Sequence, residues 1–206
     1  MLKYLDFKYL DSCVRSAVCS GWFRLHGVHS SWIEVDGLLP RLDARGEITI
    51  GERPYLRGRL LRCDIGAAPS AYLRIGDRVF INQGSVIVAH CGIQIGDDAM
   101  IGEFCAIYDT NHHAVDEEHP VKYAPVRIGV NVWLGRNVTV MPGSKIGDHT
   151  VVSAGSIVSG ELPPRVLAVG SPARPVRELK VSDGWERQGR PGRMPQPKRV
   201  GSATEG

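Results

Sequence analysis

Aliphatic residues recur at every sixth position through the second half of this chain: Ile128, Leu134, Val140, Ile146, Val152 and Val158 are five consecutive steps of six. Upstream, Ile75, Ile81 and Ile87 keep the same step, and Ile95, Ile101 and Ile107 resume it after a slip of two residues. The next position is often glycine (Gly76, Gly96, Gly102, Gly129, Gly135, Gly147). The fourth position after the aliphatic is usually small or β-branched (Val79, Ser85, Cys91, Ala99, Cys105, Val132, Val138, Ser144, Thr150, Ser156). A period of six fits neither a helix nor simple strand alternation. The chain must therefore turn every six residues, and each unit is a short strand plus a bend. The aliphatic residue points inward, the small one fits a crowded corner, and glycine is expected to relieve bends that need positive φ. Three units make an 18-residue coil, and stacked coils pair their strands in parallel, a β-solenoid of triangular section. About five coils at roughly 4.8 Å each predict a prism about 24 Å tall. An ordinary β-sandwich would instead alternate with period two between turns spaced ~8–12 residues apart.

The beat is absent before residue 48. Leu2, Leu5, Tyr9, Val14, Val18 and Trp22 have loosely helical spacing, which predicts a segment covering the open end of the first coil. A membrane-surface helix is the rival reading. The chain thus divides into a partly helical N-terminal cap (1–47), the solenoid (48–179, its first coils at 48–74 imperfect) and a tail (180–206). In "ELPPRVLAVGSPARPVREL" the prolines cannot donate ladder hydrogen bonds and close the repeat. The tail is rich in Gly, Pro and Arg and nearly lacks aliphatic residues, so disorder is expected. Contact of this basic tail with anionic lipid, a peripheral membrane contact, is its second reading.

Composition narrows the class. With 206 residues, 43% of them hydrophobic, the chain can bury a real core as one domain. No apolar run approaches the ~20 residues that cross a bilayer, and Met1 to Tyr4 show no secretory pattern, so a cytoplasmic location is expected. Cys13, Cys19, Cys63, Cys91 and Cys105 form no C-x-x-C pair, and their odd number argues against a disulfide framework. A net charge of +3 does not suggest nucleic acid as a partner.

The beat breaks once at length. Ile107 and Ile128 stand 21 positions apart where six would keep the period, so about 15 residues, around 111–126, leave the prism as a loop. Loops this long in compact domains are usually functional or disordered. This one carries "TNHHAVDEEH". A His-His pair in a loop is by itself more often incidental than catalytic, and its place inside this break reverses those odds.

"PVRIGVNVWLGRNVTVMPGSKIGDHTVVSAGSIVSGELPPRVLAVGSPARPVREL", with "RIGDRVFINQGSVIV" upstream, resembles the hexapeptide-repeat acyltransferases. The likeness is to their sugar O-acetyltransferase branch: maltose, galactoside and nodulation-factor acetyltransferases, and members that modify lipopolysaccharide or exopolysaccharide. It covers roughly residues 75–179 well and 48–74 loosely. The resemblance implies an all-β fold, a left-handed parallel β-helix with a protruding loop and a short N-terminal helical segment. It also implies a homotrimer with the active site between neighbouring prisms. Left-handedness comes from the resemblance alone, since parallel crossovers are overwhelmingly right-handed.

The activity implied is acetyl-CoA-dependent O-acetylation of a saccharide, a cell-surface polysaccharide or lipopolysaccharide precursor, without an acyl-enzyme. The family motif places the catalytic base at His112, directly after Asn111, with His113 the second choice. An acceptor hydroxyl must lose its proton as it attacks the thioester. Imidazole, with an ordinary pKa near 6.5, is neutral and basic enough to take it, and such catalysis is worth roughly 10² to 10⁴ in rate. The oxyanion then needs a donor such as a backbone N–H. Asp109, Glu117 and Glu118 are nearby in sequence as candidates to orient the ring, with a solvated acidic loop the favoured reading of each taken alone.

On the acceptor side the motif places Asn82, whose amide both donates and accepts, together with His90 and Asn111. A solenoid turn residue is the competing reading of Asn82. For acetyl-CoA it places Trp133 along the pantetheine arm, with a core aromatic as rival. Gly135, Ala154, Gly155 and Ser159 follow at the turns, and Arg174 and Arg177 are set to pair with phosphate oxygens through their planar forks. Gly160 departs from the pattern, because many relatives carry a lysine there. Other readings keep the fold and change the role: acetylation of a sugar-nucleotide amine or an antibiotic, a non-catalytic scaffold, or a zinc-dependent γ-class carbonic anhydrase. His90, His112 and His113 would be a sensible zinc shell, but neighbouring residues rarely ligate one ion together, so no metal is expected.

Overall fold

The computed structural model describes residues 7–182, 184, 185 and 187. One helix, α1 (Phe7–Leu25), precedes three parallel sheets wound as a left-handed β-solenoid. Coil 1 holds β1 (His29–Ser30), β2 (Glu34–Gly37) and β3 (Arg41–Ala44); coil 2 holds β4 (Glu47–Ile50), β5 (Tyr55–Gly58) and β6 (Asp64–Ala67). Coil 3 holds β7 (Tyr72–Ile75), β8 (Phe80–Ile81) and β9 (Val86–Ala89); coil 4 holds β10 (Gly92–Ile95), β11 (Met100–Ile101) and β12 (Ala106–Tyr108). Coil 5 holds β13 (Val126–Ile128), β14 (Trp133–Leu134) and β15 (Thr139–Val140); coil 6 holds β16 (Lys145–Ile146), β17 (Val151–Val152) and β18 (Ile157–Val158). A seventh coil begins with β19 (Glu161–Leu162) and β20 (Val166–Gly170), and β21 (Ala173–Glu178) folds back antiparallel on β20. The first strand of every coil stacks in sheet A, the second in sheet B and the third in sheet C.

The six-residue register becomes three internal ladders. Ile50, Ile75, Ile95, Ile128, Ile146 and Leu162 are consecutive partners in sheet A. Leu56, Ile81, Ile101, Leu134 and Val152 are the equivalents in sheet B, and Ile65, Ile87, Ile107, Val140 and Val158 those in sheet C. All are buried, and each contributes about 1.5–3 kcal/mol by leaving water.

The glycines of the repeat have a different cause from the one expected. Gly76, Gly96, Gly129 and Gly147 are absent from the positive-φ positions; those fall two residues later, at Arg78, Asp98, Asn131 and His149. What the glycines provide is close approach between coils. A Cβ on Gly96 would lie 2.7 Å from the carbonyl carbon of Gly129, and one on Gly147 would lie 2.4 Å from the nitrogen of Pro164.

The prism also starts earlier and runs longer than the beat indicates. Its first coil begins at His29 rather than residue 48, and six coils are complete instead of about five. The beat is hidden there because irregular spacing separates the inward residues Ile33, Val35 and Ile48. α1 covers the open edge of β2: Ser16 Oγ accepts from Val35 N at 2.9 Å and Ser20 Oγ accepts from Ile33 N at 2.9 Å. Ser12 Oγ donates to Val35 O at 3.0 Å. Residues 2–6 of the expected helix lie outside the described residues. Among the described residues no helix is long and apolar enough to cross a membrane.

Candidate active site

The loop leaves the prism at the edge between sheets C and A, and it is clasped at its base. Thr110 bridges Tyr123 in antiparallel sense, Ala124 N donates to Asp109 O at 2.9 Å, and Lys122 N donates to Asn111 Oδ1 at 2.8 Å. His112 sits on this clasp at φ 61°, its N–H donating to Thr110 Oγ1 at 3.1 Å. A left-handed backbone at a non-glycine residue persists only where its surroundings over-determine it. The turn throws the His112 ring back toward the wall of the prism. There it meets the Tyr108 ring edge to face at 5.6 Å and the His90 ring at 4.8 Å.

His90 comes from one coil below. β9 and β12 are neighbours in sheet C, and the two-residue slip between Ile87 and Ile95 widens the corner where His90 and Cys91 lie. The buried carboxylate of Asp109 fills that corner. It accepts from His90 N at 2.8 and 3.0 Å, from Cys91 N at 2.8 Å and from Gly92 N at 2.5 Å. Asp109 therefore fixes the wall against which the ring packs. Its own approach to an imidazole is to His90 Nδ1, at 3.9 Å, beyond hydrogen-bond range. His90 Nδ1 is buried without a hydrogen-bond partner.

Of the other acids, Glu117 and Glu118 are exposed in the outer loop. There Asp116 organises a local turn, accepting from His119 N at 2.8 Å and facing His119 Nδ1 at 2.6 Å, and its carboxyl is held below the usual range by that histidine. His113, also exposed, donates its N–H to Asn111 O at 2.7 Å. Among the described residues no three His, Cys, Asp or Glu side chains gather as a metal shell.

The remaining candidates lie elsewhere on the prism. Asn82 is buried at the edge between sheets B and C, its Oδ1 accepting from Gln83 N at 3.0 Å. Ala154 and Gly155 occupy the same edge three coils on, with open space around a Cβ built at Gly155. Ser159 and Gly160 are on the edge between C and A. Gly160 has φ 103°, a conformation that disfavours lysine, so the departure in residue type goes with the backbone. Gly135 is explained by stacking, since its Cβ would meet Ala154 N at 2.6 Å. Asn111 uses its amide oxygen in the clasp. Trp133 stands outward on sheet B, 43% exposed, and is not a core aromatic. Arg174 and Arg177 lie on exposed β21 of the same sheet. Within one chain, then, His90, Asn111 and His112 come together, whereas Asn82 and the acetyl-CoA candidates, apart from Ser159, lie on sheet B or its far edge.

Two residues escaped the sequence reading. Trp185 and Arg187 fall in the tail expected to be disordered, and they pack on the prism instead; residues 188–206 lie outside the described residues. The Arg187 guanidinium lies 5.0 Å from the Trp185 ring centroid and 5.8 Å from that of Trp133. It donates to Asn131 O and His149 O, while Asn131 Nδ2 donates to Trp185 O at 2.9 Å. Burial lowers the Arg187 pKa from its ordinary value. An isolated tryptophan in a polar tail was the available signal. The buried thiols are poor nucleophiles: desolvation pushes Cys63 up to about 12 and Cys105 up to about 11.

Residues 125–160 match the bacterial transferase hexapeptide model (six repeats), and residues 72–102 match the hexapeptide repeat of succinyl-transferase. The chain is 36% identical over 114 residues to the galactoside O-acetyltransferase of Escherichia coli, a match covering 54% of this chain and 56% of that protein. It is 32% identical over 155 residues to a putative lipopolysaccharide biosynthesis O-acetyl transferase of the same organism, covering 69% and 78%. A probable acetyltransferase of Mycobacterium tuberculosis is 36% identical over 71% of this chain and 54% of its own length. The chain thus spans little more than half the length of the galactoside and mycobacterial relatives. Among solved structures, a hexapeptide-repeat acetyltransferase of Vibrio cholerae complexed with acetyl coenzyme A superposes with TM-score 0.56 at 32% identity, covering 64% of this chain and 71% of that one.

Proposed function

Since this chain belongs to the hexapeptide-repeat acetyltransferases, we propose that it transfers acetyl from acetyl-CoA to a hydroxyl of a saccharide, with His112 as general base. The observation that carries this reading is the placement of His112. The one long loop of the solenoid is clasped at its base so that this imidazole is held against the prism between Tyr108 and His90. The two Escherichia coli relatives, one named for a galactoside acceptor and one for lipopolysaccharide biosynthesis, support a saccharide hydroxyl as acceptor.

The residues present fit the co-substrate. Trp133 offers a flat, half-exposed wall for an apolar arm, Gly155 leaves open space at a turn, and Arg174 and Arg177 offer cations to phosphate. His112 accepts the acceptor's proton as its oxygen bonds to the carbonyl carbon. When the C–S bond breaks, the imidazolium returns that proton to the departing sulfur, so the ring ends as it began. Imidazole suits both halves because its ordinary pKa lies near neutrality. His90 and Tyr108 restrict the ring's orientation, and Asp109 anchors the wall behind it.

The separation of His112 from Asn82, Ala154 and Gly155 by the width of sheet C supports a homotrimer. A second copy presenting its edge between sheets B and C beside His112 would complete each site. Because acetyl-CoA is a cytoplasmic metabolite, the proposed location is cytoplasmic. Incubation with radiolabelled acetyl-CoA and fractionated cell glycans tests the reading. The label is expected in a glycan fraction and released by mild alkali, as an ester is. Alkali-stable label would make the acceptor an amine, and no label in any glycan would remove the saccharide assignment.

A further inference from the structure

We propose that Trp185 and Arg187 are positioning residues of the acetyl-CoA site, clamping the Trp133 indole so that it is held ready for the ligand. The inference rests on the reading of Trp133 as the wall for the pantetheine arm. Trp133 needs such a clamp. It stands outward on β14, a strand of two residues, and its neighbours in register are Met100 one coil below and Val151 one coil above. Neither carries a ring that could stack on it, and the outer torsion of a tryptophan side chain is broad. The tail supplies the missing contact. The Arg187 guanidinium lies over the Trp133 ring at 5.8 Å and over the Trp185 ring at 5.0 Å, within cation–π range of both. Its Nη2 donates to the carbonyls of Asn131 and His149 at 3.4 and 3.3 Å. These two residues hold the same corner of successive coils, between sheets A and B. The Asn131 amide completes the anchor, since its Nδ2 donates to Trp185 O at 2.9 Å and lies 2.9 Å from His149 Nδ1. Asn131 precedes Trp133 by two residues, so the clamp is fixed to the turn that leads into the indole's own strand.

Two features separate positioning from the other roles a strap could have. It is poorly satisfied as a stability contact: Arg187 Nε and Asn131 Oδ1 are buried without hydrogen-bond partners. No carboxylate among the described residues pairs with the guanidinium. Contacts that only hold a fold together rarely leave buried donors and acceptors orphaned. Nor does the strap cover the wall. It reaches Trp133 from the edge between sheets A and B, whereas the open turn at Gly155 lies on the edge between B and C. With Arg187 in place Trp133 keeps 43% of its surface exposed. The indole is therefore stacked on the side of the tail and still open to a ligand.

Calorimetric titration of coenzyme A into the wild-type chain and into Arg187→Ala tests this, together with turnover of acetyl-CoA on the glycan fraction that takes up label. Affinity is expected to fall roughly three- to tenfold, the cost of ordering one large side chain on binding. KM for acetyl-CoA should rise by the same factor, with kcat within about twofold of wild type. Trp185→Ala should do likewise, and it decides the matter if the arginine variant fails to fold. In a Trp133→Ala background, Arg187→Ala should weaken binding by no more than about a further twofold, because it acts through the indole. Unchanged affinity in both tail variants, while the wild-type chain binds coenzyme A, overturns the proposal and leaves the acetyl-CoA reading standing. Absence of binding by the wild-type chain removes both. Tighter binding by the variants would make the strap a cover over the wall, and an undiminished loss in the Trp133→Ala background would make Arg187 a direct contact of the ligand. Either result also overturns the proposal.

Discussion

The rings of His90 and His112 meet edge to face, with centroids 4.8 Å apart and planes at 86°. Edge-to-face packing of this kind contributes about 0.5–1.5 kcal/mol in aromatic pairs, enough to hold an exposed loop residue in one orientation. Tyr108 closes the other side at 5.6 Å and 80°. His90→Ala is therefore expected to lower kcat about tenfold with KM for acetyl-CoA nearly unchanged. His90→Phe keeps a ring and should retain most of the rate. Steady-state kinetics on the pair checks this. A phenylalanine variant as impaired as the alanine one would show that a His90 nitrogen is needed, as in acceptor binding.

Asp109 is the keystone of the corner beneath those rings, accepting the N–H groups of three successive residues. Asp109→Ala leaves them buried without acceptors, at about 1–3 kcal/mol each. Urea titration should show a loss of at least about 3 kcal/mol, and the loop should become more accessible to protease. A loss under about 1 kcal/mol would mean that water replaces the carboxylate at no cost.

The buried thiols set an alkaline limit. Cys63 ordinarily ionises near 9.0 but is pushed up to about 12 by desolvation. Above pH 9 the unfolded chain releases this proton while the folded chain keeps it, so stability present below pH 9 declines as pH rises toward 12. The slope attributable to one thiol is about 1.4 kcal/mol per pH unit. Cys63→Ser keeps a donor toward Asn82 O, which the thiol meets at 3.2 Å, and should flatten the Tm profile between pH 9 and 11 by roughly that amount. An unchanged profile would show that Cys63 does not govern it.

Trp133 tests the acetyl-CoA half of the site. Trp133→Ala should raise KM for acetyl-CoA about tenfold and leave kcat nearly intact, as expected when uniform binding is removed. A fall in kcat with unchanged KM would place Trp133 on the acceptor side.

Legibility in the sequence followed what is local. Ile128 to Val158 declared the solenoid because each lands on the next inner face, and the gap from Ile107 to Ile128 declared the loop. What depends on apposition between coils was not legible. His90 and His112 stand 22 positions apart in the chain, and they meet because β9 and β12 adjoin. The first coil was hidden because its inward residues Ile33 and Val35 do not fall on the six-residue beat. The repeat glycines were recognised but misread: coil spacing at Gly96 and Gly147, not φ, excludes a side chain. Composition also concealed Trp185 and Arg187, whose packing depends on Trp133, 52 positions earlier than Trp185.

The central claim is that the imidazole held on this clasp removes the acceptor's proton. Turnover of acetyl-CoA on an identified glycan, compared between the wild-type chain and His112→Ala with coenzyme A affinity measured in parallel, tests it most directly. The account predicts a fall of at least about 10² in kcat with affinity changed less than about threefold. Turnover within about threefold of wild type would contradict it.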